Sequence, residues 1–148
     1  MDLGASNAST GILEAFTDCA PVLLITGQSD SSLYSKHPSK MFHGLDQMRF
    51  FESLTKYCAI AHTVAEIPVV VGNAFKATRT GRPGPTMLEF PMGVVTGDGD
   101  VRIPSRVERE ELSTPDDASL STAVETIRNA KMPLIFAGSA VFLSLIHI

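Results

Sequence analysis

At 148 residues, 44% hydrophobic and 19% charged, the chain has the composition of a soluble globular domain, one or at most one and a half by length. A net charge of −4 offers no basic face for nucleic acid, and the uncharged stretch Pro133 to Ile148 falls short of the ~20 apolar residues that span a membrane. Met1-Asp2-Leu3-Gly4 has neither the basic start nor the apolar stretch of a secretory signal, and Cys19 and Cys58 match no metal spacing, so small buried thiols in a reducing cytoplasm are expected.

The first predicted element is a helix from Asn7 to Phe16, with Ala8, Ile12 and Phe16 four apart on one face. Pro21 then introduces Val22-Leu23-Leu24-Ile25-Thr26, a continuous apolar run suited to a parallel strand covered on both faces. Gly27-Gln28-Ser29 is expected to break it, and a polar loop to run to about Lys40. A short helix covers Leu45 to Phe51, and Tyr57 to His62 reads as the second strand. Thr63 and Glu66 have the spacing of a capping box. The helix they open carries Ile67, Val71, Ala74, Phe75 and Thr78 at helical spacing, with Pro68 near its start, where a lost backbone bond is best tolerated. Gly81 is a stop signal, and Thr86 to Phe90 is the third strand.

Strands alternating with helices argue a parallel α/β sheet with flanking helices. Ligands of such sheets sit beyond the carboxyl ends of the strands, which places Gly27-Gln28 and the following loop near any site. From Pro91 to about Asp117 Gly, Asp, Pro and Ser dominate and periodicity vanishes, the mark of a linker. A helix from Ser119 to Ala130 and a strand at Pro133-Leu134-Ile135-Phe136 then begin a second α/β domain. The resulting division is residues 1–91, a linker 92–117, a domain start 118–141 and a tail 142–148.

No hydrolase triad, P-loop or metal-ligand cluster is present. Three ordered motifs are more informative: Gly4-Ala5-Ser6-Asn7-Ala8, then Pro21-Val22-Leu23-Leu24-Ile25-Thr26-Gly27-Gln28, then Thr78-Arg79-Thr80-Gly81-Arg82-Pro83-Gly84-Pro85. In that order and spacing they resemble the later part of the pyrimidine-binding domain of the thiamine-diphosphate-dependent acetolactate synthase superfamily, over Gly4 to about Pro91. Asn129 to Gly138 resembles the beginning of that family's central domain. The resemblance implies an incomplete thiamine-diphosphate-binding fold and a parent enzyme that carries out carboligation or decarboxylation on 2-oxo acids. It also implies thiamine diphosphate and Mg²⁺ as cofactors, and a dimeric or tetrameric homo-oligomer. It leaves open whether the central domain holds FAD or a coenzyme A. A decarboxylase or aldehyde lyase of the same superfamily is the first alternative, and a non-catalytic α/β binding module the second.

The same resemblance assigns Gly4 and Asn7 to the aminopyrimidine ring. Gly4 lets backbone approach a ligand, and Asn7 can exchange hydrogen bonds with it, or serve as a helix N-cap. Acetolactate synthases typically carry Phe-Gln-Glu where this chain has Phe42-His43-Gly44, and related decarboxylases place a His in this region. His43 is therefore the candidate proton-transfer residue. Gly97-Asp98-Gly99 imitates the family's metal motif, but Pro- and charge-rich sequence follows it and it reads as a turn. His37 and His62 read as structural, and Arg82 as a tether for its turn. The family's catalytic Glu lies upstream of Gly4, and its metal and diphosphate motif belongs to a domain this chain does not reach. Truncation at both ends, a fragment inactive alone, and a tail from Phe142 resembling translated adapter sequence are expected on that basis.

Overall fold

The computed structural model describes residues 2–29, 44–104 and 114–138, and the chain divides into two units, Met1–Arg109 and Glu110–Ile148. In the first unit, helix α1 (Asp2–Thr17) leads to strand β1 (Leu23–Gln28), helix α2 (Gln47–Phe51) and strand β2 (Cys58–Ile60). Helix α3 (Ile67–Arg79), strand β3 (Thr86–Pro91) and a single helical turn, α4 (Met92–Val95), follow. The three strands are parallel and ordered β1-β3-β2, so the α/β sheet with flanking helices stands as expected.

The register explains the core. Leu24, Met87 and Cys58 lie side by side across the three strands. Alternation along a strand sends them to one face, where Ala5, Ile12, Phe51 and Met87 form a buried cluster. Leu24, Met48, Leu54 and Cys58 pack around it. Helix α1 contributes Ala5 and Ile12 to this cluster, and Ala15 is buried as well; spacings of seven and three put the three residues on one helical face. Helix α3 buries Ala74 and Thr78, whereas Phe75 is 43% exposed. The predicted stripe therefore holds except at Phe75.

Several boundaries differ from the sequence reading for local reasons. Helix α1 starts at Asp2 rather than Asn7, so Asn7 is not its N-cap. Strand β1 continues through Gly27 and Gln28, which pair with Phe90 and Pro91 of β3; a partner ladder outweighs the turn tendency of glycine. The capping box does not close on itself. Thr63 makes no side-chain cap, and the Glu66 carboxylate instead accepts the backbone N–H of His62 at 2.9 Å. A 3₁₀ turn at Val64–Glu66 intervenes, and Pro68 falls in the first turn of α3, where its missing N–H costs no helical bond.

Two long cations close helix ends. The Lys56 ammonium donates to the carbonyls of Ala77 and Thr80, each at 2.7 Å, at the carboxyl end of α3. Burial draws its pKa down. A Cβ at Gly84 would come within 2.9 Å of the Lys56 stem, so a larger residue there would oblige that side chain to shift. Arg82 performs the matching task on α1. Its Nη2 donates to Phe16 O at 3.3 Å and Thr17 O at 3.2 Å, its Nε donates to Cys19 Sγ at 2.9 Å, and the guanidinium lies 5.7 Å from the Phe16 ring centre. Cys19 adopts φ 58° directly after the helix, where glycine is usual. Arg82 is thus a tether, as its sequence context suggests. Arg82→Ala is expected to lower stability by about 1–2 kcal/mol through lost capping bonds, and Arg82→Lys to recover only part of it. Urea denaturation with an unchanged slope is the measurement; equal stability of all three proteins would contradict it.

Between Met92 and Pro104 the chain stays against the first unit. Val94 is buried. A Cβ at Gly97 would meet Gly93 O at 2.9 Å and Val64 Cγ2 at 3.1 Å, and one at Gly99 would meet Val64 Cγ1 at 3.2 Å. The two glycines of Gly97-Asp98-Gly99 thus let the backbone cross Val64 closely. In the second unit, helix α5 (Asp117–Asn129) is capped by Asp116, whose side chain accepts the Ser119 N–H at 2.7 Å. That bond holds the Asp116 carboxyl below its ordinary value. Pro133-Leu134-Ile135-Phe136 carries no strand, contrary to the sequence reading; a strand needs a neighbouring ladder, and none of the described residues supplies one.

Candidate functional site

Helix α1 packs on β1 and returns into it through a short connection, so its first turns lie toward the end where β1 finishes. That is the carboxyl end of a parallel sheet, the usual ligand side. Gly4 and Asn7 sit in those turns and both are exposed, while Ala5 between them is buried. A Cβ built on Gly4 would meet no atom within 4 Å. Protein packing therefore does not demand a glycine there, and a ligand could approach the backbone closely. No hydrogen bond engages the Asn7 carboxamide among the described residues. His43 and His37 lie outside the described residues, as does the tail from Phe142.

The same end of the sheet holds a buried polar group of which sequence reasoning placed only Gln28 near the site. Gln28, Gln47 and Glu89 are 3%, 1% and 1% exposed. Gln28 Nε2 donates to Leu45 O at 3.1 Å, and Gln28 Oε1 accepts the Ser29 N–H at 2.9 Å. In the reverse direction, Gln47 Nε2 donates to Gly27 O at 3.0 Å. Each glutamine thus holds backbone beside the other. Among the described residues, Gln47 Oε1 is buried without a hydrogen-bond partner. Glu89 stands on the central strand opposite Thr26 and Ile60. The signal for it was available, because a carboxylate inside an otherwise apolar strand is rarely buried without a role.

Two cavities lie elsewhere in the first unit. One of about 420 Å³ is lined by Asp46, Arg49, Glu52, Lys56 and Cys58, among others, beside α2 and the amino end of β2. Burial pushes the Cys58 thiol up; the Thr55 hydroxyl at 2.8 Å opposes this and the Glu52 charge adds to it. Such a thiol stays protonated and makes a poor nucleophile. The second, about 580 Å³, lies between α3 and Arg102-Ile103-Pro104 and is lined mainly by Pro68, Val69 and Gly72. Among the described residues, no three His, Cys, Asp or Glu converge as metal ligands, and no helix is long and apolar enough to cross a membrane.

No protein-family model matches the chain. Curated relatives do. The chain is 30% identical over 135 residues to the acetolactate synthase of Bacillus subtilis, which covers 91% of the chain and 23% of that protein. It is 31% identical over 147 residues to a probable acetolactate synthase large subunit of Methanocaldococcus jannaschii, covering 95% and 24%. With the acetolactate synthase large subunit of Lactococcus lactis the identity is 32% over 144 residues, covering 93% and 24%. Over nearly all of its length, the chain is similar to a stretch of acetolactate synthase large subunits that makes up about a quarter of them.

Proposed function

We propose that this chain forms the aminopyrimidine side of the cofactor site in a thiamine-diphosphate-dependent enzyme acting on 2-oxo acids. The similarity to acetolactate synthases along 91–95% of the chain carries the reading. The open backbone at Gly4 and the free carboxamide of Asn7 agree with it. When bound, thiamine diphosphate supplies the carbanion chemistry that cleaves or forms bonds next to a carbonyl. The residues of this chain orient and protonate. Gly4 admits the ring to the backbone, Asn7 hydrogen-bonds its edge, and His43 moves a proton at the reacting substrate. Mg²⁺ and the diphosphate belong to a domain beyond these residues, contributed within a cytoplasmic homo-oligomer. His43, standing where synthases carry Gln, favours a decarboxylase or aldehyde lyase as the second reading.

The test compares two proteins. A full-length enzyme carrying this stretch should lose turnover of 2-oxo acids when stripped of thiamine diphosphate and Mg²⁺, and regain it on their return. The 148-residue chain alone should bind the cofactor weakly or not at all by calorimetry, because the charged diphosphate finds its ligands elsewhere. Cofactor-independent turnover by the full-length enzyme would refute the proposal, and micromolar binding by the chain alone would show the site to be misplaced.

A further inference from the structure

The two glutamines at the carboxyl end of β1 form a reciprocal clasp. Gln28, the last residue of β1, holds the carbonyl of Leu45, just before α2. Gln47, the first residue of α2, holds the carbonyl of Gly27 in β1. Burying carboxamides at 3% and 1% exposure is unfavourable unless they are hydrogen-bonded; both ends of the Gln28 carboxamide are bonded, and Gln47 is held by its Nε2 bond to Gly27 O. Between them the start of α2 is tied to the end of β1 in both directions. A helix of five residues has little stability of its own, and its seat depends on such ties.

That seat has a consequence for α1. Phe51 of α2 shares the buried cluster with Ala5, and Met48 packs against the same cluster. Ala5 lies between Gly4 and Asn7 in sequence, the two residues that the proposed function assigns to the cofactor. We infer that Gln28 and Gln47 are positioning residues: through α2 and Ala5 they fix the first turns of α1, and so the edge that Gly4 and Asn7 present. The inference rests on the proposed function for what is positioned, and on the hydrogen bonds alone for the clasp.

The experiment separates these two supports. Hydrogen exchange is followed by mass spectrometry on the 148-residue chain, as wild type, Gln28→Met, Gln47→Met and Gln47→Glu. In both Met variants, peptides spanning Gly4–Asn7 and Gly27–Ser29 should exchange about tenfold faster, as for loss of one buried hydrogen bond, while β3 stays protected. Using both variants guards against one of them failing to fold. Gln47→Glu supplies a readout that general loosening does not. Its protonated carboxyl can donate to Gly27 O as the amide does, whereas the carboxylate cannot. Protection should therefore be regained as pH falls and lost as it rises. Asp46, His62, Glu66 and Glu89 are ionisable groups on the neighbouring elements, so the difference from wild type at each pH is the quantity read. In a full-length enzyme, the Met variants should need about tenfold more thiamine diphosphate for half activation, with turnover at saturation retained. Unchanged exchange at Gly4–Asn7 in both Met variants, or a Gln47→Glu profile parallel to wild type, would overturn the clasp. Faster exchange at Gly4–Asn7 with an unaltered cofactor requirement would leave the clasp standing and refute its role toward the cofactor.

Discussion

Phe51→Ala is expected to destabilise the first unit by about 3–5 kcal/mol, the range for truncating a fully buried aromatic. Phe51 has no exposed surface and joins Ala5, Ile12 and Met87 in a cluster that α1, α2 and the central strand share. Its ring also meets Phe50 edge to face, with centres 5.0 Å apart, a contact worth about a further 0.5–1.5 kcal/mol. Domains of this size are stable by only ~5–15 kcal/mol, so the variant should be partly unfolded at moderate temperature. Phe75→Ala is the control: 43% exposed on α3, it should cost about 1 kcal/mol or less. Urea titrations of both variants decide the matter, and equal losses would mean that the cluster is not where the fold is held.

How much of this was legible beforehand depends on which force set each feature. Helical stripes and apolar strands are written in local spacing, so the helix around Ile12, the three parallel strands and the stop at Gly81, which adopts φ 62°, could be read directly, although the residues buried with Ile12 are Ala5 and Ala15 and not Ala8 and Phe16. Features set by a distant partner could not. Strand β1 extends through Gly27 because Phe90 pairs with it, and no rule about glycine in β1 contains that fact. Gly97 and Gly99 looked like a turn, yet their smallness answers to Val64. Gln28 and Gln47 stand in sequence as a strand-end residue and a residue of a short helix, where polarity ordinarily means surface; their burial follows from backbone carbonyls that only the fold brings within reach. Pro133 to Phe136 has strand-like composition and lacks a neighbour to pair with. Of the candidate site, the residues of Gly4–Asn7 came from motif resemblance, while the open space beside Gly4 could only be seen in three dimensions.

His43→Ala, in a full-length enzyme carrying this stretch, is expected to lower turnover by about 10²- to 10⁴-fold, the usual worth of a general acid–base group. The half-activating concentration of thiamine diphosphate should change far less, because proton transfer stabilises the transition state and contributes little to ground-state binding. His43 lies outside the described residues. The resemblance of Phe42-His43-Gly44 to the synthases' Phe-Gln-Glu sets His43 against a Gln, and a carboxamide can hydrogen-bond a substrate but cannot exchange a proton with it near neutral pH. Imidazole does both, with an ordinary pKa near 6.5 that suits it to either direction of transfer. His43→Gln therefore separates positioning from proton transfer. Substrate KM should stay close to wild type while kcat falls nearly as far as in His43→Ala, and the limb of the pH–rate profile near neutrality should flatten. Full turnover in the Gln variant would show that this residue serves by hydrogen bonding alone, as the synthases' Gln can. Full turnover in the Ala variant would remove His43 from the site and, with it, the one residue that favours the decarboxylase or aldehyde-lyase reading.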